Sequence, residues 1–492
     1  MESALALEAA KESCLMKVLI ISPYESVVPH LETELELAQQ HLRAGDEVII
    51  QFCDGRLANC DFNKDKDPVQ CESCVARRMQ GFKLLQGKFK IERLNSTRST
   101  TIPEFESLAE LRQIKIQNFD IGFAVLSSII SVCRNPRPDL AEYRELIERF
   151  FDSAAATFEA AICSIRKQKP DRVYNFNGRF ASMRAVLRAC QLEKVDCFIH
   201  ERGASNELYQ LFVNRLPHDI DYIQDRMNQL WESAEHDPQR NQIAASWFED
   251  RVNRVERNWK SFVKGQQANR LPDNWDSSKR NIALYCSSED EFAAIGDCWQ
   301  TNLIYPDQNQ GFEQIVNSFS DSSEFHFYLR IHPNLAKVDN PSMRFLNRLH
   351  SANLSVIPAD ADIDTYALMR NSEKVITFGS SVGIEAVYWG VPSILVGASF
   401  YRGNSGVYQA ESHEHVLELI RQDLPSLPPE TALPYGFWYQ THGIPFEFYK
   451  ASDFYSGKFK DHEILAVREP SMLRKVVRSG ERLFKKARQA KA

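Results

Sequence analysis

The sequence lacks any apolar run long enough to cross a membrane. Its longest apolar stretch, residues 121–132, is shorter than the ~20 residues that a spanning helix needs, and it contains three serines. A spanning helix is therefore not expected. The residues before Met16 have no basic start followed by an apolar stretch, so we expect no secretory signal. Short internal repeats and low-complexity segments are also missing.

An excess of positive charge is missing as well. The 492 residues include 59 Lys and Arg against 66 Asp and Glu, a net charge of −7. Proteins that bind nucleic acids usually present a basic surface, so no nucleic-acid partner is expected. The C-terminus departs from this average, because from Arg468 onward nine basic residues accompany only two acids. From Leu473 the spacing predicts a basic amphipathic helix, either on an anionic membrane surface or docked on the acidic body.

The composition is that of a globular protein. Hydrophobic residues make up 43% of the chain, enough for substantial cores, and the length favours two or three domains. Eleven cysteines without a secretory signal indicate reduced thiols. We therefore expect a cytoplasmic protein, which would be peripheral on the inner membrane surface if the C-terminal helix binds lipid and not the acidic body.

Strand-like and helix-like segments alternate in two series. Val18–Ser22 and Glu47–Phe52 are predicted strands around a helix that ends at Gly45, which is a βαβ unit. A second series occupies residues 281–396. The pattern predicts an α/β protein with domains at 1–275 and 276–435, followed by a crossover segment and C-terminal helix at 436–492. Residues 54–115 are predicted to be irregular, and Glu32, Glu34 and Glu36 to form a solvated helix face.

The first motif is a strand that runs into a small hydroxylated turn and a helix, residues 377–386. Serine hydroxyls and the backbone N–H groups of a helix start suit a phosphate. Gly379, Ser380, Ser381 and Gly383 are the candidates, and Glu385 could accept hydrogen bonds from a ribose. An N-terminal cap with a glutamate that compensates the helix dipole is the alternative.

The second motif, Arg330-Ile331-His332-Pro333, ends another strand of the same predicted sheet. Histidine can donate to a phosphate or stabilise a leaving group. Ser287 and Ser288 follow the first strand of this domain and are further candidate phosphate donors. The three acids that follow them either cap the next helix or face an acceptor.

Together these motifs resemble bacterial capsule-polysaccharide biosynthesis glycosyltransferases. Arg330-x-His332-Pro333, Ser380-Ser381-x-Gly383-x-Glu385 and Gly390-x-Pro392 carry the resemblance, and related motifs occur in Kdo transferases and sialyltransferases. The resemblance implies a GT-B fold, in which two Rossmann-like domains face a cleft. It also implies a nucleotide-sugar donor, often a CMP-sugar, bound by the second domain. Position 330 is Arg where Lys is common in capsule enzymes. A planar guanidinium group therefore replaces a compact ammonium group of the same charge.

The first domain is expected to hold the acceptor. An inverting transfer needs a general base within reach of the acceptor hydroxyl, and Glu25 and Glu201 follow predicted strands there. His332 is the third candidate catalytic residue. Asn177, Arg179 and Arg202 follow the same set of strands and are candidate substrate contacts.

Four cysteines, Cys53, Cys60, Cys71 and Cys74, lie within 22 residues. Cys71-x-x-Cys74 resembles a metal half-site, whereas the spacing of Cys53 and Cys60 is poor for a zinc ribbon. A structural zinc or iron–sulfur centre and a set of reduced or redox-paired thiols both remain open.

These observations lead us to expect a GT-B glycosyltransferase that needs no metal for catalysis. It would move a sugar from a nucleotide donor to a surface polysaccharide or lipid-linked acceptor. A nucleotide-sugar epimerase, a polyol-phosphate transferase of the teichoic-acid type and a non-catalytic scaffold in polysaccharide assembly are the alternatives.

Overall fold

The computed structural model describes residues 15–24, 27–94, 101–256, 262–300 and 303–465. The predicted C-terminal helix therefore lies outside the described residues. The described strands are β1 Lys17–Ser22, β2 Glu47–Phe52, β3 Phe89–Arg93, β4 Arg172–Phe176, β5 Asp196–Arg202, β6 Leu208–Val213, β7 Arg280–Tyr285, β8 Phe325–Arg330, β9 Leu354–Ile357, β10 Lys374–Thr377, β11 Ser393–Leu395, β12 Tyr408–Gln409, β13 Ile444–Pro445, β14 Tyr449–Ala451, β15 Gly457–Phe459 and β16 His462–Glu463.

Helices cover the faces and ends of the sheets. They are α1 His30–Ala44, α2 Pro68–Leu84, α3 Leu108–Gln113, α4 Ile121–Cys133, α5 Leu140–Gln168, α6 Ala181–Glu193, α7 Ile220–Ser233, α8 Arg240–Val252, α9 Gln308–Asn317, α10 Pro341–Arg348, α11 Thr365–Asn371, α12 Val382–Tyr388, α13 His413–Arg421 and α14 Leu433–Thr441. None of these helices has the length and hydropathy needed to cross a bilayer.

The first sheet has seven strands in the order β13-β6-β5-β4-β1-β2-β3. Its five strands from β5 to β3 are parallel, and β6 pairs antiparallel with β5. Strand β1 is buried from Val18 to Ser22. Such continuous burial is typical of a parallel strand covered on both faces.

The second sheet has six parallel strands in the order β12-β11-β10-β7-β8-β9. This is the doubly wound order, with β7 and β10 at the point where the order reverses. In the register of the sheet, Tyr285 of β7 lies opposite Thr377 of β10 on one side and Arg330 of β8 on the other. The loops that follow these three strands therefore leave the sheet side by side.

The predicted α/β class with two doubly wound sheets is confirmed. The expectation of an irregular segment at 54–115 is wrong, because this segment contains α2, β3 and α3. Helix α2 begins at Pro68, where the Asp67 side chain accepts from the Val69 N–H at 2.9 Å. Its apolar periodicity is weak, because its buried residues include the two arginines Arg77 and Arg78.

The chain returns to the first sheet after the second is complete. Strand β13 pairs antiparallel with β6, and β14, β15 and β16 form a small sheet beside α1. This return covers the side of α1 that carries Glu36, whereas Glu34 lies 3.6 Å from His200 of β5. Glu32, Glu34 and Glu36 are all at most 3% exposed. Their predicted solvation is therefore wrong. Glu36 accepts from two backbone N–H groups of the returning segment at 2.8 Å, and Glu32 pairs with Arg77 at 2.5 Å.

Candidate active site between the two sheets

A cavity of about 520 Å³ lies between the two sheet units. Seven residues predicted from the sequence line it, namely Arg202, Ser287, Ser288, His332, Gly379, Ser380 and Ser381. A narrower extension of about 80 Å³ shares His332, Ser380 and Ser381 and adds Arg330 and Pro333. Residues from three strand ends thus meet at one place, as the register of the second sheet requires.

Gly379 allows the backbone of the serine turn to lie close to its neighbour. Its φ is +133°, and a Cβ there would come within 2.5 Å of the Ala398 carbonyl oxygen. Gly383 has no room for a Cβ either, since the Tyr401 hydroxyl would lie 2.3 Å away. Helix α12 has only seven residues. The chemistry of the turn therefore rests on its side chains more than on a helix dipole.

His332 is held as a neutral imidazole. Its Nδ1 accepts from the Asn334 backbone N–H at 3.1 Å. Burial, together with the charges of Arg251, Arg330 and Arg134, lowers the pKa of His332 to about 4. Because Nδ1 is the acceptor, the proton of the neutral ring sits on Nε2, which makes Nε2–H the donor available to a ligand.

Glu385 is fully buried and its oxygens are occupied. Ser381 Oγ donates to one oxygen at 2.8 Å and the Tyr366 hydroxyl to the other at 2.7 Å. The Arg251 guanidinium lies 3.2 Å from the same carboxylate. Glu385 therefore orients Ser381 and Arg251, and it does not line the cavity as the predicted ribose contact would.

Arg251, from α8, is a site residue that the sequence reasoning missed. It lines the cavity and its extension, and it donates to Ser381 Oγ at 3.3 Å. Burial opposes its charged form, but the Glu385 carboxylate keeps the pKa of Arg251 above its ordinary value. Arg251 belongs to none of the sequence motifs, because it lies on α8, 130 positions before Ser381.

Arg330 has a structural role. Its guanidinium donates to the carbonyl oxygens of Pro358 and Ala361, and the side chain is only 1% exposed. Burial lowers its pKa. Arg330 thus ties the end of β8 to the loop after β9, and Arg251 supplies a cation at the cavity wall.

The loop after β7 brings a carboxylate to the cavity. Glu291 lines the wall and accepts from Asn334 Nδ2 at 2.9 Å. Burial and the neighbouring Asp290 raise the pKa of Glu291. The buried Ser287 hydroxyl has no hydrogen-bond partner among the described residues, whereas Ser288 Oγ accepts from Asn334 at 3.4 Å. Ser287 is therefore free to donate to a ligand.

The first-domain candidates divide into two groups. Arg202 lines the cavity, stacks over the Phe454 ring at 4.5 Å and donates to the Val28 carbonyl oxygen at 2.7 Å. Glu201, Asn177 and Arg179 do not line it.

These three residues form hydrogen bonds with one another and with the loop after β7 of the second sheet unit. Glu201 accepts from Asn177 Nδ2 at 2.8 Å, and Arg179 donates to the Glu291 carbonyl oxygen at 2.6 Å. Arg179 thus fixes the backbone of Glu291. Glu25 lies outside the described residues.

The sequence reasoning also missed an aromatic wall. Eight described aromatic residues from both units line the cavity: Trp247, Phe262, Phe292, Trp299, Phe400, Tyr435, Tyr439 and Phe454. Trp247 also packs in the core, where it is 2% exposed, with its ring 4.6 Å from the Arg251 guanidinium carbon. Aromatic faces of this kind suit the flat, partly apolar surfaces of sugars and bases.

The four clustered cysteines lie elsewhere, around a cavity of about 30 Å³ beside the ends of β1 and β2. All four are free thiols and half-buried. Across the described ranges, no three His, Cys, Asp or Glu side chains are placed to hold a single metal ion.

The two doubly wound sheets with a shared cavity are the architecture of GT-B proteins. No protein-family model matches the chain, and no curated protein matches it. Among solved structures, KpsC from Thermosulfurimonas dismutans, a beta Kdo 2,4 transferase, is 12% identical over 54% of this chain and 79% of that chain, with a TM-score of 0.34.

Two further solved structures are similar over most of the chain. The UDP-GlcNAc 2-epimerase from Neisseria meningitidis, bound to UDP-GlcNAc, is 13% identical over 86% of this chain and 97% of that chain, with a TM-score of 0.29. CalG4, the calicheamicin glycosyltransferase, is 11% identical over 87% and 95%, with a TM-score of 0.28.

Proposed function

We propose that the protein is a glycosyltransferase that uses a nucleotide-sugar donor, with a hydroxyl of a surface polysaccharide or lipid-linked glycan as acceptor. The observation that carries the proposal is the convergence of hydrogen-bond donors and one carboxylate on the cavity between the sheets. Arg251, His332, Ser287, Ser380 and Ser381 all line that cavity or its extension.

The donors suit a departing phosphate. As the bond between the anomeric carbon and the phosphate oxygen breaks, its electron pair leaves on the phosphate, where negative charge grows. His332 Nε2–H and the serine hydroxyls donate to that charge, and the Arg251 guanidinium neutralises part of it. Asn334 holds His332 before reaction, and Glu385 holds Ser381 and Arg251, so these three groups need little reorganisation.

Glu291 is the proposed general base. The acceptor oxygen attacks the anomeric carbon, and its proton passes to the Glu291 carboxylate. A raised pKa makes this carboxylate a stronger base than an ordinary glutamate. Asn334 holds both Glu291 and His332, which fixes the base relative to the phosphate donor.

The test has two parts. Thermal shifts are measured with CMP, CDP, UDP and GDP, since a nucleotide that binds the native state raises the melting temperature. The nucleotide sugar with the stabilising base is then incubated with and without glycan acceptors. Transfer that requires the acceptor supports the proposal; conversion of the donor alone to an epimer contradicts it, as does the absence of any nucleotide shift.

We also propose that residues 468–492 bring the enzyme to the cytoplasmic face of the inner membrane. Nine basic residues in this segment support the proposal, because anionic headgroups attract such clusters. Equal sedimentation with anionic liposomes by the full chain and by a variant ending at residue 467 would contradict it.

A further inference from the structure

A larger cavity, of about 1020 Å³, lies against the loop that follows β7. One wall comes from α3, α4 and α6 of the first sheet unit, and the other from this loop and from the chain just after β10 and β11. Ser287, Phe292 and Trp299 line both this cavity and the candidate active site. The two cavities therefore adjoin, and we call the larger one the second cavity.

The turn Glu289–Glu291 contributes to both cavities. Glu289 lines the second cavity, and Glu291 lines the active site. Phe292 and Trp299 follow in the same loop, and their rings stack with centroids 4.7 Å apart. A ligand that fills the second cavity would therefore come beside Glu291, the proposed base for an acceptor hydroxyl.

The charged side chains of the second cavity are paired with one another. On the wall from the first sheet unit, Asp120 lies 2.7 Å from both Arg184 and Arg188. Burial opposes the ionised form of this carboxylate, but the two arginines hold the pKa of Asp120 well below its ordinary value. One acid is thus shared by two cations on this wall.

The remaining pairs reverse that excess of positive charge. Arg137 lies 3.1 Å from Glu289 and 3.2 Å from Asp307, so one cation is shared by two acids. Arg112 lies 2.9 Å from Asp297. Among the described lining residues, four arginines therefore face four acids, and the charges of these pairs sum to zero.

This balance distinguishes between classes of ligand. A polyanionic glycan or a lipid phosphate needs arginines or lysines whose charge is not already neutralised. Lys115 is the remaining cation of the described lining, and it is exposed, where a single ion pair contributes little. The second cavity therefore favours a ligand without net charge.

Sugar hydroxyls match the polar groups of this lining. Each hydroxyl both donates and accepts, and paired carboxylates and glutamine amides keep lone pairs and N–H groups for it. Gln310, whose amide donates to Asp307 at 3.0 Å, and Gln113 are exposed in this lining. Aromatic rings add apolar faces on which sugar rings can stack. The aromatic residues of the described lining are Phe123, Phe292, Trp299, Tyr305 and Phe378.

We propose that the second cavity binds a neutral oligosaccharide of several sugar units and presents its end to Glu291 as the acceptor. The volume is about twice the 520 Å³ of the active-site cavity, and it lies at the upper end of the ~300–1,000 Å³ usual for a small ligand. A chain of several sugars therefore fits. That this glycan is the acceptor rests on the proposed transferase function, whereas its binding does not.

The test is binding of the full chain, without nucleotide, to an array of short immobilised oligosaccharides. One set of glycans is neutral, and the other carries carboxylates or phosphates. We expect capture by neutral glycans, which becomes tighter as the glycan lengthens until the cavity is filled. Capture by neither set would overturn the proposal, and so would capture by the acidic set that is as tight as capture by the neutral set.

Ala109→Trp locates the binding site. Ala109 lies on α3, lines the second cavity and is exposed, so an indole there takes up cavity space without entering the core. Binding of neutral glycans should fall roughly ten-fold or more, because the indole occupies the place of the ligand. The matched control is Ala76→Trp, at an exposed alanine of α2 that lines neither cavity, and it should bind like the wild type. Equal binding by Ala109→Trp and the wild type would contradict the proposal.

A second variant applies if Ala109→Trp does not fold. Gln310→Ala removes an exposed amide in the first turn of α9, and binding of neutral glycans should weaken about three-fold or more through the lost hydrogen bonds. Unchanged binding in this variant would contradict the proposal.

Nucleotide thermal shifts separate this proposal from the transferase function. A chain that binds neutral glycans but no nucleotide would contradict the transferase function and support the glycan site. A chain that is stabilised by a nucleotide but binds no neutral glycan would contradict the glycan site alone.

Discussion

The Asn334 backbone N–H donates to Nδ1 of His332 at 3.1 Å. His332 caps the short turn after β8 through this bond, and the Asn334 side chain also reaches Glu291. The bond assigns the tautomer of His332, because a nitrogen that accepts cannot carry the proton of a neutral ring. One local contact thereby converts a histidine at a strand end into a fixed donor at the cavity.

Replacement of His332 tests that donor. His332→Ala should lower kcat roughly 100-fold or more, because the departing phosphate loses a preorganised hydrogen bond. His326→Ala is the matched control. His326 lies at the other end of β8 and contacts Ser355 Oγ, so its loss should leave kcat within about two-fold. The measurement is steady-state transfer, with circular dichroism as the check on folding. Wild-type turnover by His332→Ala would contradict the assigned role.

The pH dependence of transfer tests Glu291. Because the pKa of Glu291 is raised, the base is protonated at acid pH and transfer is slow there. The rate should rise with pH, and the midpoint of this acidic limb of the pH–rate profile should lie above the ordinary pKa of a glutamate. His332, with its pKa lowered to about 4, stays neutral over this range and adds no limb near pH 6.5. In Glu291→Gln the activity should fall by roughly 100-fold or more and the limb should disappear. An unchanged profile in that variant would exclude Glu291 as the base.

The contact between Arg251 and Glu385 should be worth more than a surface ion pair. Arg251→Met leaves a fully buried carboxylate without its cation, and the free energy of unfolding should fall by about 3 kcal/mol. Glu385→Gln should also destabilise the protein, and the double variant should lose less than the two single losses combined. Denaturant unfolding measures all three. If the loss of unfolding free energy in the double variant equals the sum of the two single losses, Arg251 and Glu385 are not coupled and the prediction is wrong.

Gly379 and Gly390 form a matched pair of glycines with positive φ. Gly390, at +73°, has open space where a Cβ would stand, so Gly390→Ala should cost about 1–2 kcal/mol from the backbone alone. Gly379→Ala adds a collision with the Ala398 carbonyl oxygen, so it should cost more and weaken nucleotide binding. Thermal unfolding with and without nucleotide measures both effects. If both variants lose the same free energy of unfolding and nucleotide binding is unchanged, the turn at Gly379 accommodates a Cβ without strain, which would contradict this prediction.

Acid stability tests His442. Its Nδ1 lies 2.5 Å from the Trp438 carbonyl oxygen, and burial lowers the pKa of His442 to about 4. An unfolded histidine titrates near 6.5, so the unfolded chain binds the proton first. The contribution of neutral His442 is complete above pH 6.5 and is lost as pH falls toward 4, by roughly 3 kcal/mol. His442→Gln should flatten that part of the stability profile. A slope identical to that of the wild type would contradict this.

The class of fold and the positions of two motifs could be predicted from the sequence. Buried strands and amphipathic helices have local periodicities, so Val18–Ser22 and the helix ending at Gly45 were visible without neighbours. The His332 and Ser380-Ser381 motifs follow strands of one parallel sheet, and the carboxyl ends of such strands meet at one edge. Their convergence on a cavity follows from that rule.

The tertiary structure decided which charges are free. Arg330 is occupied by two carbonyl groups, and the cavity cation is Arg251, which lies 130 positions before its partner Ser381. Glu36 of α1 is covered by residues about 410 positions later, and Glu32 pairs with Arg77, 45 positions later. Burial and ion pairing depend on contacts between distant parts of the chain. Local sequence patterns do not predict these contacts. Periodicity therefore determined the elements, and only packing determined which side chains remain available to a ligand.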